Sequence, residues 1–163
     1  MKTGLVAAAA MALAPFMTAQ AAHAQSGCDN MKRIVAEALD AFPTLRGDEI
    51  DDDWFDSTLY LQGAAECTID LSIASMFSCA WDFDAAAPAD AHAGVLADAA
   101  RQCLPGWRWE AIEPGTKSEN NLAITRGIRM IGNDDYEDTL IEIYAEAFPD
   151  SAERTVWLEV TQP

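Results

Sequence analysis

The chain has 163 residues, of which 27 are acidic and only 10 are Lys or Arg, so its formal net charge is −17 at pH 7. Nucleic-acid phosphates and anionic lipid headgroups repel such a chain, so the composition argues against both as partners. The charge is compatible with a basic partner, with a store of cations, or simply with solubility in a salty exterior. We expect a protein or a small ligand as the partner, and the sequence leaves its identity and the oligomeric state open.

The first 24 residues predict a secretory signal peptide. Lys2 supplies the positive charge, an uncharged apolar stretch runs from Leu5 to Met17, and Ala22-His23-Ala24 has the A-x-A form of a cleavage site. The apolar stretch is too short for a comfortable transmembrane helix. We therefore expect a periplasmic or extracellular protein that is not embedded in a membrane.

Cleavage after Ala24 would leave residues 25–163, a length typical of one domain with a sizeable core. The alternative is a lipoprotein acylated at Cys28. Lipoproteins usually carry Leu or a similar residue three places before that cysteine, where this chain has Gln25. The sequence therefore favours a cleaved, unlipidated chain.

A first helix is predicted by apolar residues at i, i+3 and i+4 spacing: Met31, Ile34, Val35, Ala38, Leu39 and Phe42. Asp29 or Asn30 can cap its start, and Pro43 follows its end. The acidic stretch Gly47 to Asp53 is expected to be a loop.

Strands dominate the rest of the predicted fold. Alternating apolar residues predict two strands, Leu59–Leu71 and Met76–Phe83, joined by a short turn. An Ala-rich helix follows over Ala89–Leu104, ended by Pro105-Gly106. Four further strands are predicted at Trp107–Ile112, Leu122–Ile131, Thr139–Ala145 and Thr155–Thr161. The order α-β-β-α-β-β-β-β predicts an α+β two-layer sandwich, with two helices on one face of an antiparallel sheet.

Four cysteines follow the predicted cleavage site, an even number that favours two disulfides in an exported chain. A hairpin centred near Ile73 places Cys67 opposite Cys79, within disulfide reach. Cys28 precedes the first helix and Cys103 ends the second, so antiparallel helices would bring them together. The alternative is a Cys79–Cys103 bridge, because Cys79 also faces the helices. There is no C-x-x-C pair, which argues against a thioredoxin-type redox role.

The sequence predicts no catalytic residue, metal ligand or cofactor. His92, the one histidine after the cleavage site, lies on an apolar helix face and is expected to be structural. The acidic segments 51–53 and 133–138 are oxygen-rich, but the second fails the EF-hand pattern at its sixth and twelfth positions. An acid pair that hydrolyses glycosides is conceivable in any chain this acidic, so the pattern has little specificity.

Arg126 is out of place in the predicted strand Leu122–Ile131. Strict alternation puts it on the inward face with Leu122, Ile124, Ile128 and Met130. Burial there would require a carboxylate partner. The adjacent Gly127 favours the other interpretation, a bulge that turns Arg126 outward.

The sequence favours an exported binding or interaction protein over an enzyme. The alternative is a small carboxylate-dependent hydrolase. Alternation places Trp157, Tyr144 and Arg129 on the sheet face opposite the helices, together with Tyr60 of the first predicted strand, and leaves open which of them are neighbours. Trp, Tyr and Arg are enriched at interface hot spots. They also have a simpler explanation, because Tyr and Trp have high β-propensity and often decorate a solvated sheet face. We take these four residues as the candidate partner-binding surface.

Overall fold

A computed structural model describes the backbone of residues 17–163 and the side chains of residues 27–163. The predicted signal peptide lies largely outside the described residues. Residues 17–163 contain two helices and eight strands: α1 Met17–Ala38, β1 Arg46–Asp51, β2 Trp54–Ser57, β3 Glu66–Asp70, β4 Ser75–Phe83, α2 Ala86–Cys103, β5 Arg108–Ala111, β6 Ala123–Ile131, β7 Leu140–Ala147 and β8 Arg154–Gln162. A single 3₁₀ turn, Asp134–Tyr136, precedes β7.

All eight strands form one antiparallel sheet in the order β1-β2-β3-β4-β8-β7-β6-β5. The C-terminal strand β8 therefore lies in the middle, between β4 and β7. Both helices pack against one face of the sheet, which we call the inner face. The predicted α+β fold, with helices on one side of an antiparallel sheet, is confirmed.

The core lies between the helices and the inner face. Its fully buried members include Phe77 on β4, Ile143 on β7 and Leu158 on β8, with Ile34 of α1 and Ala93 of α2 above them. The small alanines of α2 allow the helix to approach the sheet closely. Burying such apolar surface contributes about 25 cal/mol per Å², the largest favourable contribution to this fold.

The predicted loop Gly47–Asp53 is wrong, because most of it belongs to the edge strand β1, which pairs with β2. The pattern failed here because β1 is at the edge of the sheet and almost entirely exposed, so it needs no apolar alternation. Charged side chains are usual on edge strands because they discourage pairing with another chain.

The predicted strand Leu59–Leu71 is too long, since only Glu66–Asp70 is a strand. Leu59 and Leu61 still pack against the core, but from a loop that turns at Gly63, where φ is +77°. The Trp81 indole N–H donates to the Gln62 carbonyl at 3.1 Å and fixes this loop. The apolar residues in this loop are spaced two apart, which is the pattern expected of a strand, and this spacing explains the wrong prediction.

The first helix ends at Ala38, earlier than its apolar pattern predicts. Ala41 and Phe42 have positive φ angles of 59° and 57°, so the chain reverses immediately after the helix. This reversal turns the Phe42 side chain into the core, where it is fully buried, and leaves Leu39 48% exposed.

Two disulfides join the same cysteine pairs that the sequence predicts. Cys67 and Cys79 are directly opposed on β3 and β4, with Cα atoms 4.1 Å apart. Cys28 and Cys103 link α1 to the last residue of α2, with Cα atoms 5.0 Å apart. Two disulfides suit an oxidising compartment, extracellular or periplasmic.

A bulge does interrupt β6, between Ile124 and Arg126, but it acts on a different residue from the one expected. Arg126 stays on the helix side, where its guanidinium lies close to Gly94 of α2. Ile124 turns to the opposite side of the sheet and packs against Tyr144. The prediction that Arg126 turns outward is therefore wrong: Gly94 leaves room for it beside the helix, where it remains exposed.

Candidate binding face

The sheet side opposite the helices, which we call the outer face, is strongly acidic. The strand register assigns to it two basic side chains, Arg108 and Arg129. It also assigns to it a larger set of acidic side chains from six of the strands: Asp56, Glu66, Asp70, Asp82, Glu110, Glu142, Glu146 and Glu159. Alternation sends their apolar neighbours to the inner face. The outer face therefore carries much of the chain's excess negative charge.

Two aromatic residues and two acids form a crossed arrangement at the centre of the outer face. Tyr144 on β7 is directly opposite Trp157 on β8. The Tyr144 hydroxyl donates to Glu159, two residues beyond Trp157, at 2.8 Å. The Trp157 indole N–H donates to Glu146, two residues beyond Tyr144, also at 2.8 Å. We call these four residues the crossed cluster.

The crossed cluster is packed against a small second core. Ile112 and Ile124 are buried there against Tyr144, and Trp157 covers them. Gly127 lies opposite Tyr144, and a Cβ at Gly127 would approach the Tyr144 Cβ to 2.8 Å. A glycine at this position therefore leaves the space that the Tyr144 Cβ occupies.

Glu146 is 1% exposed, and one of its two carboxyl oxygens has no hydrogen-bond partner. The other oxygen accepts from Trp157 and, at 3.4 Å, from the side-chain amide of Asn120. Asn120 lies at the tip of the β5–β6 hairpin, residues 113–122, which reaches over this part of the sheet. A buried polar atom without a donor lowers the free energy of unfolding by roughly 1–3 kcal/mol, so this oxygen of Glu146 destabilises the cluster.

Burial raises the pKa of Glu159 to about 7, and the nearby carboxylates of Glu119, Glu142 and Glu146 act in the same direction. The hydrogen bond from Tyr144 opposes this shift but does not cancel it. Burial and the same acidic surroundings raise the pKa of the Tyr144 hydroxyl well above its usual value, so it remains a donor. Glu159 therefore titrates near neutral pH.

The four residues predicted for partner binding are only partly brought together. Tyr144 and Trp157 are in contact on the outer face, but Tyr144 is only 2% exposed, because Trp157 and the second core cover it. Arg129 lies one row away, bound to Glu142 at 2.8 Å and to Glu110 at 3.6 Å. Tyr60 lies in the β2–β3 connection, where its hydroxyl donates to Asp56, and β4 separates β3 from β8.

Sequence reasoning missed Glu146 and undervalued Glu159. Alternation does place both on the outer face, but nothing in the pattern indicates that they are buried. The only signal is their position two residues after an aromatic residue on each of two paired strands. Recognising it would have required the β7–β8 register.

His92 is held between the rings of Trp81 and Phe83, at centroid distances of 5.2 and 5.3 Å. Burial lowers its pKa, so it is neutral at pH 7. Across residues 27–163, no group of three or more His, Cys, Asp or Glu side chains is arranged to hold a metal ion.

No protein-family model, curated protein or solved structure matches the chain. In the part of the chain that the structure describes, no helix has the length and apolar character needed to cross a membrane. We therefore infer function from the residues of the outer face.

Proposed function

We propose that this is an exported binding protein that engages a basic partner, such as a Lys- or Arg-rich segment of another protein, through its outer face. The observation that carries the proposal is the crossed cluster: aromatic and acidic side chains stand together at the centre of an acidic surface. One buried carboxyl oxygen there lacks a donor. A basic side chain that packs against Trp157 would be attracted by the acidic side chains around the cluster.

Charge supports this choice of partner. Acidic side chains surround the crossed cluster on the neighbouring strands, and Arg129 is already engaged by Glu142 and Glu110. Complementary charge accelerates association and fixes orientation, while a central aromatic residue contributes most of the affinity. Trp157 occupies that central position.

Export is the second element of the proposal. The sequence pattern of residues 1–24 supports cleavage after Ala24, and two disulfides support an oxidising destination, the periplasm or the exterior. Intact-mass measurement of the exported protein tests the cleavage: we expect an N-terminus at Gln25. A diacylglycerol-modified Cys28 at the N-terminus would contradict it.

Binding is tested with a fluorescent Arg-rich peptide and two double variants that change the net charge equally. Glu66→Gln with Glu142→Gln removes two acids from the outer face. Asp40→Asn with Asp98→Asn removes two exposed acids elsewhere. We expect the first variant to weaken peptide affinity about tenfold, equivalent to about 1.4 kcal/mol, and the second to leave it nearly unchanged. Equal weakening by both variants would show that the peptide senses only net charge.

A second candidate function is carboxylate-dependent hydrolysis, which one observation favours: the pKa of Glu159 near 7 suits a general acid or base. The test is a panel of chromogenic glycosides and esters. Turnover that Glu159→Gln abolishes, in a variant that keeps its fold, would favour the enzyme over the binding protein.

A further inference from the structure

An apolar groove opens on the helix side of the sheet, away from the outer face. It has a volume of about 580 Å³. Its walls are residues 27–31 of α1, one side of α2 and the loop before β3, and its floor includes Trp81 and Leu158 of the inner face. The apolar residues that line it are Cys28, Met31, Leu61, Trp81, Val95, Leu96, Ala99, Cys103 and Leu158.

Among residues 27–163, no charged side chain lines the groove, which is unusual in a chain this acidic. Its polar side chains are Gln62, Gln102 and His92, and burial keeps His92 neutral at pH 7. An ion entering the groove would lose water without meeting an opposite charge, which is unfavourable. The lining therefore selects against charged ligands.

The groove is also held open by covalent structure. Cys28 and Cys103 both line it, and their disulfide fixes the middle of α1 against the end of α2. The loop on the other side is fixed by the hydrogen bond from Trp81 to Gln62. Val95 remains 65% exposed at the rim. A preformed apolar site loses less affinity to ordering when a ligand binds.

We infer that this groove is a binding site for a small, uncharged, predominantly apolar molecule. Pockets for such ligands typically have volumes of about 300–1,000 Å³, mostly apolar walls and a few polar groups that fix orientation. The groove meets each of these conditions, with Gln62 and Gln102 as the orienting groups. The inference does not depend on the proposed function, because the groove and the crossed cluster lie on opposite faces of the sheet.

The test uses Nile red, an uncharged apolar dye, and two matched variants on α2. Ala99 lines the groove and Ala91 does not, and both are exposed. Ala99→Phe fills the groove, whereas Ala91→Phe adds the same side chain elsewhere on the helix. We expect the natural protein to bind one Nile red, Ala99→Phe to weaken that binding about tenfold or more, and Ala91→Phe to retain it.

A second arm tests the charge argument with an anionic dye of similar size, anilinonaphthalene sulfonate. We expect it to bind at least about tenfold more weakly than Nile red. Melting temperatures of both variants identify any loss of fold, and a Leu96→Phe substitution provides a second way to fill the groove. No saturable Nile red binding, equal binding by the Ala99 and Ala91 variants, or tighter binding of the anionic dye would each overturn the inference.

Discussion

The two faces of the sheet bury side chains by different means. On the inner face, apolar side chains meet the helices, and Leu158 and Ile143 are fully buried without needing a polar partner. On the outer face no helix is present among the described residues, yet Glu146 and Tyr144 are almost as deeply buried. Neighbouring aromatic rings and the 113–122 hairpin tip provide that cover. Adjacent residues of β8 lie in the two environments: Leu158 is on the inner face, and Trp157 and Glu159 are on the outer face.

Burial on the two faces contributes differently to the free energy of folding. Inner-face burial is favourable in itself, because apolar surface leaves water. Outer-face burial of carboxyl groups is costly unless each oxygen finds a donor, and one oxygen of Glu146 does not. Stability should therefore depend mainly on the inner face, and binding mainly on the outer face.

The largest expected effect is loss of the Cys28–Cys103 disulfide, by substitution of both residues with Ala. The bridge closes a loop with a sequence separation of 75 residues. Loop-closure entropy predicts a decrease of about 4 kcal/mol in the free energy of unfolding. Urea denaturation measures it. The matched pair Cys67→Ala and Cys79→Ala opens a shorter loop, with a separation of 12 residues, and should cost about 1.6 kcal/mol less. A larger loss from the shorter loop would contradict this account.

Leu158→Ala should lower the free energy of unfolding by about 3 kcal/mol, because it leaves a cavity in the inner core. Partner affinity should be unchanged under conditions where the variant remains folded. Denaturation together with titration by the Arg-rich peptide measures both quantities. Reduced affinity in the folded variant would show that the two faces are coupled.

The pH dependence of stability should come largely from Glu159. Its pKa is raised from 4.5 to about 7 on folding, so the folded state holds the proton more tightly than the unfolded state. The contribution to stability is full below pH 4.5 and is lost as pH rises through 7, a change of roughly 3 kcal/mol.

Glu159→Gln should remove most of that dependence, because the amide does not ionise. Above pH 7 the variant should be more stable than the natural protein. Glu110→Gln, an exposed acid on the same face, is the control and should leave the dependence unchanged. If Glu159→Gln retains the full slope, other groups are responsible.

The smallest expected change in stability comes from Trp157→Phe, which keeps an aromatic ring and removes the N–H that binds Glu146. We expect a loss of about 1–2 kcal/mol, the value of a hydrogen bond to an acidic group. Trp109→Phe, at an exposed position on β5, is the control. No difference between the two variants would mean that the hydrogen bond to Glu146 does not stabilise the cluster.

The amino-acid pattern predicted the inner face better than the outer face for a physical reason. Inner residues such as Phe77 and Val160 follow period 2 because burial between two layers demands it. Edge strand β1 has no buried side, so its acidic residues resembled a loop. The bulge before Arg126 was expected, but only the packing of α2 determines which side chain it redirects.

The candidate site was predicted in part. Alternation placed Trp157, Tyr144 and Arg129 on the correct face, but it could not show that Tyr144 is buried or that Tyr60 lies in a loop. The role of Glu146 could be recognised only from the β7–β8 register. Its carboxyl group also contacts Asn120, which is 26 residues earlier in the chain. Contacts between distant segments are not encoded in local periodicity.

The central claim is that a basic partner binds the outer face at the crossed cluster. The most direct measurement is NMR mapping of an Arg-rich peptide on the isotope-labelled protein, following backbone amides and the Trp157 indole N–H. The account predicts saturable shifts in residues 142–146 and 157–159 and at the indole N–H, with α2 unaffected. Shifts confined to α2, or small non-saturating shifts spread over all exposed acids, would contradict it.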